Sequence, residues 1–137
     1  MADPFSKDER SRIMRQVRGK DTSPEMVVRR MVHAMGHRYR LHDRSLPGSP
    51  DLVFPRLGKV VQVRGCFWHM HDCGRCRIPQ TRRGYWTRKL EGNRRRDAAA
   101  DRRLRRMGWS LMIVWECQTT PTRRDRLSRR LARFLAP

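Results

Sequence analysis

The stretch DLVFPRLGKVVQVRGCFWH, residues 51–69, decides the fold of this chain. Asp51 and the apolar residues 52–54 follow the turn residues 46–50, residues 55–58 contain Pro and Gly, and residues 59–63 contain three valines. Two short apolar runs joined by turn residues predict an antiparallel hairpin. Because a hairpin brings the start of one strand beside the end of the other, we expect Asp51 to lie near residues 63–65.

Helical patterns surround this hairpin. Thr22 and Glu25 form a capping box that opens a helix, and Gly36 suits its end. A long helix is predicted from about Arg82 to Met107, then an apolar strand over 109–115 and a tail helix, while residues 39–41 are a weak strand candidate. This order predicts an α/β fold in which helices flank a mixed sheet. We divide the chain into a basic arm, residues 1–20, and one folded domain, residues 21–137.

Charge is the strongest signal of the composition. The chain has 33 Lys and Arg residues against 13 acidic ones, a net charge of +20. Such a surface favours a nucleic-acid partner. No apolar run approaches the roughly 20 residues that span a bilayer, and no signal peptide is visible, so we expect no membrane contact and a cytoplasmic, nucleoid-associated protein.

A cluster of soft metal ligands follows the hairpin. Cys66, His71 and Cys73 lie within eight residues, a spacing that can close around one tetrahedral zinc ion. The fourth ligand is open from spacing alone, because Cys117 stands just past a predicted strand and Cys76 lies in a C-x2-C pair with Cys73. His69 is a further candidate, and the alternative is a set of buried free thiols.

Asp51 is the candidate ligand of a catalytic Mg²⁺, because a carboxylate at a strand start near another oxygen ligand suits that ion. Taken alone, Asp51 is better explained as a turn residue. Its case depends on Glu25 and Asp97, which lie on inward helix faces, and on His69. Glu25 could instead serve only the capping box, and Asp97 could be a structural acceptor.

Aromatic residues beside cations can stack on DNA bases. Phe67 and Trp68 stand in the basic metal loop, which has little sheet to bury them. Tyr85 and Trp86 open the long helix, and Trp86 shares a stripe with Leu90, which favours core packing.

The chain resembles the very-short-patch repair endonucleases of bacteria. The matching segments keep their order over almost the whole chain: Leu46-Pro-Gly-Ser-Pro-Asp51, Gly65-Cys-Phe-Trp-His-Met-His71-Asp-Cys73, Tyr85-Trp86, Asn93 with Arg96-Asp97, Gly108-Trp109 and Ile113-Val-Trp-Glu-Cys117. The resemblance implies a restriction-endonuclease-like fold and Mg²⁺-dependent nicking of one DNA strand, 5′ to the mispaired T of a T:G mismatch. Such a mismatch arises when 5-methylcytosine is deaminated, and the nick starts short-patch repair.

The resemblance also implies roles for individual residues. Asp51 and the main-chain carbonyl of Val63 would hold the catalytic metal, His69 would act as a general acid-base, and Glu25 and Asp97 would organise water at the metal. The remaining implied roles are four zinc ligands, Cys66, His71, Cys73 and Cys117, and four DNA contacts, Phe67, Trp68 and Trp86 as a wedge beside the mismatch and Met14 on the arm. The resemblance further implies a monomer that acts with mismatch-repair proteins.

Arg64 departs from the pattern of this family, which usually has His or an acid near the scissile phosphate at this position. An arginine cannot serve as a base, but it could stabilise the charge of the scissile phosphate or replace the lysine of the wider nuclease fold. Three rival functions remain: a nuclease of the same fold that reads a sequence without a mismatch, a zinc-stabilised DNA-binding protein without catalysis, and an RNA-binding protein.

Overall fold

The computed structural model of the protein describes residues 21–74 and 76–137. The regular elements, in chain order, are α1 (Ser23–Ala34), β1 (Arg40–Leu41), β2 (Leu52–Phe54), β3 (Lys59–Arg64), α2 (Arg83–Arg106), β4 (Ser110–Trp115) and α3 (Arg124–Leu135), with short 3-10 turns at Glu116–Thr119 and Pro121–Arg123. The predicted arm, with Met14, lies outside the described residues.

The four strands form one sheet in the order β1-β2-β3-β4. β1 and β2 are antiparallel, as are β2 and β3, and β3 pairs with β4 in parallel, with Val63 opposite Val114 and Arg64 opposite Trp115. A parallel pair needs a long crossover, and α2 supplies it. The predicted hairpin and the mixed sheet flanked by helices are therefore confirmed.

Apolar side chains cover both faces of the sheet because each strand alternates its side chains between them. On one face Leu52, Val61 and Val114 pack with the inward stripes of α1 and α3. On the other face Val53 and Val60 pack against Leu104 of α2. The sheet is thus held between α1 and α3 on one side and α2 on the other.

The helix starts follow local capping rules to different extents. The hydroxyl of Thr22 accepts from the backbone N–H of Glu25, 3.4 Å away, as the capping box predicts. The long helix instead begins after Arg82, which has a positive φ of 57° and no side-chain cap. Within residues 21–74 and 76–137, no helix is both long and apolar enough to cross a membrane.

Candidate functional site

Three cysteines and one histidine meet beyond the ends of β3 and β4. The ligand atoms of Cys66, His71, Cys73 and Cys117 all lie within 4.8 Å of one another. The parallel register explains this meeting: Arg64 pairs with the last residue of β4, and Cys66 and Cys117 each come two residues after that pair. The two Sγ atoms each lie 3.6 Å from Nδ1 of His71.

The chemistry of this cluster suits a soft cation. Burial raises the pKa of the Cys66 thiol to about 12, so a thiolate would not persist there without a positive charge. Burial also lowers the pKa of His71, which favours the neutral imidazole that ligates metals. The His71 ring stacks on Trp115, with ring centroids 4.0 Å apart. Three thiols and one imidazole form a donor set that fits tetrahedral zinc.

The two other candidate ligands lie apart from this cluster. The thiol of Cys76 donates to the carbonyl of Phe67, 3.5 Å away, and packs against the neighbouring aromatic rings. The ring of His69 faces Asp97 of α2. The structure therefore groups Cys117, rather than Cys76 or His69, with the three ligands that spacing had suggested.

Asp51 lies beside the end of β3, as the hairpin predicts. Its Oδ2 accepts a hydrogen bond of 2.7 Å from the backbone N–H of Val63. Burial, together with the nearby charge of Glu25, raises the pKa of Asp51 to about 6, although the Val63 hydrogen bond opposes this rise. Ionising Asp51 is therefore unfavourable in the folded protein, and a cation beside it would stabilise the charged carboxylate.

Glu25 links helix α1 to this carboxylate. The side chain is only 3% exposed, and it bonds to Arg29 and to His42, whose Nε2 lies 3.0 Å from each carboxylate oxygen of Glu25. The capping box is therefore only half formed, because the Thr22 side chain caps the helix while both carboxylate oxygens of Glu25 bond to His42.

His42 was missed by the sequence analysis. Its Nε2 lies 3.9 Å from Asp51 Oδ1, and its backbone N–H donates to the Asp51 carbonyl. The weak strand candidate at residues 39–41 could have indicated this contact. Leu41 pairs with Leu52 in an antiparallel register, which places His42 opposite Asp51.

The inward polar face of α2 contacts the loop after β3. Nδ1 of His69 is hydrogen bonded to Oδ2 of Asp97, and the amide of Asn93, one turn earlier, donates to the carbonyl of Trp68 at 3.1 Å. With Nδ1 bonded to the carboxylate, Nε2 of His69 is the nitrogen left for a reacting group. The His69 side chain is 27% exposed, so a substrate can reach it.

Arg64 does not point into open space. Its guanidinium makes two hydrogen bonds to Asp101 of α2, at 2.7 and 3.1 Å, and both side chains are nearly buried. The sequence analysis had considered only a phosphate or catalytic role for Arg64, because nothing in the linear pattern indicated this partner.

The aromatic residues form one cluster at the start of α2. The rings of Phe67, Trp68 and Trp86 lie edge to face, with centroids 5.0 to 6.0 Å apart. The fully buried Leu90 belongs to the same cluster. Trp68 is buried, so the expectation that the metal loop would leave it uncovered was wrong, because α2 covers the loop. Tyr85 remains 40% exposed at the edge of this cluster.

Comparison with known proteins gives one consistent result. The family model described as DNA mismatch endonuclease Vsr matches residues 2–75. The chain is 42% identical over 137 residues to the type II nicking enzyme V.XorIIP of Xanthomonas oryzae pv. oryzae, covering 100% of this chain and 99% of that protein. It is 39% identical over 117 residues to the DNA mismatch endonuclease Vsr of Escherichia coli (strain K12), covering 85% of this chain and 75% of that protein.

Proposed function

The chain belongs to the family of Vsr DNA mismatch endonucleases, and on that premise we propose that it nicks one DNA strand, 5′ to the mispaired T of a T:G mismatch, in a Mg²⁺-dependent reaction. Membership makes the protein a DNA-cleaving hydrolase. The proposed nick starts repair of deaminated 5-methylcytosine by a monomeric enzyme. The sheet and its helices also fit a restriction-endonuclease-like fold. The observation that carries the proposal is the meeting of Asp51 with Val63 and Glu25.

The residues around Asp51 fit a hard divalent cation. Asp51 has a raised pKa because it is buried and lies beside another acid, and a cation bound at Asp51 would offset the cost of ionising it. Asp51 and the main-chain carbonyl of Val63 would hold Mg²⁺, and Glu25 would orient water beside it. When bound, the ion would polarise the scissile phosphate and lower the pKa of attacking water.

His69 is the proposed general acid-base of the reaction. Asp97 holds the imidazole through Nδ1, which fixes the tautomer and aims Nε2 away from the helix. A neutral Nε2 can accept a proton from water or, once protonated, give one to the leaving oxygen. Holding the ring in place removes a rotational freedom that would otherwise be lost in the transition state.

The cluster of Cys66, His71, Cys73 and Cys117 is the proposed structural zinc site. All four positions are taken by side chains, which leaves no open coordination position and is typical of structural rather than catalytic zinc. The ion would tie the loop that carries His69 to the end of β4. The zinc site would therefore support the nuclease site from three residues away along the chain.

The aromatic cluster is the proposed wedge beside the mismatch. Phe67, Trp68 and Trp86 pack on one another, and Trp68 and Trp86 are only 9% and 3% exposed, so these two rings would have to move out of the cluster to enter the duplex. Partial unstacking costs a few kcal/mol, and it costs least where a base pair is already mismatched. This cost is the physical basis for the proposed preference for T:G over a paired site. Met14 remains a proposed DNA contact from the arm.

One assay tests the activity and the specificity. Duplexes that differ only in one T:G, A:T or G:C pair are incubated with the protein, with and without Mg²⁺, beside Asp51→Ala and the control Asp43→Ala. Asp43 is a matched control because it lies in the same loop and also accepts a backbone hydrogen bond, from Ser45. We expect nicks in the T:G duplex alone, lost without Mg²⁺ and in Asp51→Ala but kept in Asp43→Ala.

A rival function would give a different pattern. Several relatives are named type II nicking enzymes, which favours a sequence-directed nick as the second candidate. Equal nicking of the T:G and fully paired duplexes would support that rival and contradict the mismatch proposal. Full activity of Asp51→Ala would contradict the assigned metal site.

A further inference from the structure

We propose that Arg64 and Asp101 form a positioning pair for the nuclease site, so that Arg64 acts through helix α2 and not on the scissile phosphate. Arg64 is the last residue of β3, next to Val63 and two residues before Cys66. Along the chain, it therefore lies between Val63 of the proposed Mg²⁺ site and Cys66 of the proposed zinc site. The inference rests on the proposed function, in which His69 and Asp97 take part in catalysis.

The geometry of the pair is that of a fixed contact. Nη1 of Arg64 lies 3.1 Å from Oδ2 of Asp101, and Nη2 lies 2.7 Å from Oδ1, which is a two-point fork between guanidinium and carboxylate. The two side chains are only 10% and 13% exposed. A planar fork of this kind holds both distance and orientation, whereas a lysine could hold only distance.

Asp101 belongs to a row of polar contacts along one face of α2. Asn93, Asp97 and Asp101 follow one another at intervals of one helical turn. Each binds a different residue at or just after the end of β3: Asn93 binds the Trp68 carbonyl, Asp97 binds His69, and Asp101 binds Arg64. The first two contacts go to the loop, and only the Asp101 contact reaches the sheet itself.

Because the Asp101 contact reaches β3, the pair can position α2 relative to the sheet. Leu104 of α2 packs on Val53 and Val60, but apolar packing is less directional than a two-point hydrogen bond, and a loop moves with the helix that binds it. The two hydrogen bonds between Arg64 and Asp101 fix how α2 is rotated about its axis, and where it lies along that axis, relative to the strand that carries Val63. The carboxylate of Asp97, one turn away, is thereby held at a set place relative to Asp51.

The pairing of Arg64 with Asp101 also argues against a direct contact between Arg64 and the scissile phosphate. A guanidinium already bonded at two nitrogens to a carboxylate has a reduced net charge toward a phosphate. Moving it to DNA would leave Asp101 partly buried without a partner, which costs several-fold more than breaking an exposed pair.

The experiment is a double-mutant cycle on nicking of the T:G duplex. The variants are Arg64→Gln, Asp101→Asn and the two together, with Glu91→Gln as control. Glu91 lies on the same helix and pairs with Arg95, but that pair is exposed and 3.9 Å apart. We expect each single variant to lower kcat about tenfold to a hundredfold, because a displacement of about 1 Å costs that much, while KM stays within about twofold. The double variant should equal either single one, and Glu91→Gln should match the wild type.

Two further measurements separate positioning from damage to the fold. Asp101→Glu keeps a carboxylate for Arg64, so its kcat should lie between that of Asp101→Asn and that of the wild type. Thermal unfolding of each variant is measured in parallel, to show whether a loss of kcat accompanies a loss of stability. Spectra of ¹⁵N-labelled histidine, with His69 assigned by His69→Gln, should show the His69 ring signals shifted in Asp101→Asn and unchanged in Glu91→Gln.

Two results would overturn the inference. If Asp101→Asn keeps full kcat while Arg64→Gln loses it, Arg64 acts on the DNA. If the His69 signals do not move in Asp101→Asn, the pair does not position that ring. The spectra decide this even if the wild type fails to nick, an outcome that would contradict the proposed function alone.

Discussion

Replacing Asp51 by asparagine should make the Mg²⁺-free protein more stable while abolishing its nicking activity. The pKa of Asp51 is raised from 3.8 to about 6, mainly by burial. At about 1.4 kcal/mol per pH unit, the ionised carboxylate therefore costs about 3 kcal/mol of folding free energy at pH 8. Asparagine keeps an oxygen for the Val63 N–H and carries no charge, so Asp51→Asn removes that cost.

The sign of the effect depends on pH. Because folding raises the pKa of Asp51, the folded state favours the protonated acid. Its contribution to stability is fully present below about pH 4 and is lost as the pH rises through about 6. The excess stability of Asp51→Asn over the wild type should thus be small at pH 4, grow between about pH 4 and pH 6, and level off near 3 kcal/mol above about pH 7.

Urea unfolding at several pH values, in Mg²⁺-free buffer that keeps any bound zinc, measures this difference. Adding Mg²⁺ should then stabilise the wild type, by about 1.4 kcal/mol for each tenfold excess over its Kd, and leave Asp51→Asn unchanged. Asp43→Asn is the control in the same loop. Its pKa is lowered by the hydrogen bonds from Ser45, so this substitution should lower stability rather than raise it. An Asp51→Asn variant no more stable than the wild type at pH 8 would refute the reasoning.

Three other outcomes follow from the same structure. Metal analysis should find about one zinc per chain in the wild type and in Cys76→Ser, and about none in Cys117→Ser; loss of zinc in Cys76→Ser would contradict the ligand set. The nicking rate at limiting Mg²⁺ should fall about tenfold per pH unit below about 6, because protons compete with the ion at Asp51, and a flat profile from pH 5 to 7 would argue against that ligand. Leu104→Ala should lower the free energy of unfolding by about 2 to 5 kcal/mol in urea titrations, because Leu104 is fully buried under the sheet; a cost below about 1 kcal/mol would contradict its place in the core.

The sequence alone predicted the elements that local rules control. The turn residues 55–58 between two apolar runs predicted the hairpin, and the hairpin placed Asp51 beside Val63. The capping residue Thr22 predicted the start of α1. These features depend on residues close together in the chain, so short-range sterics and hydrogen bonding are enough to specify them. The resemblance to the family was likewise carried by short motifs, and the comparisons confirmed it.

Only the tertiary structure decided how distant segments meet. Spacing could not choose between Cys76 and Cys117, whereas the parallel register of β3 and β4 brings Cys66 and Cys117 to equivalent places past their strands. The burial of Trp68 by α2, the contact of His42 with Glu25 and the fork of Arg64 on Asp101 share this origin. Each joins segments separated by 17 or more residues. Such contacts depend on how helices and strands pack, and a one-dimensional pattern holds no direct measure of that packing.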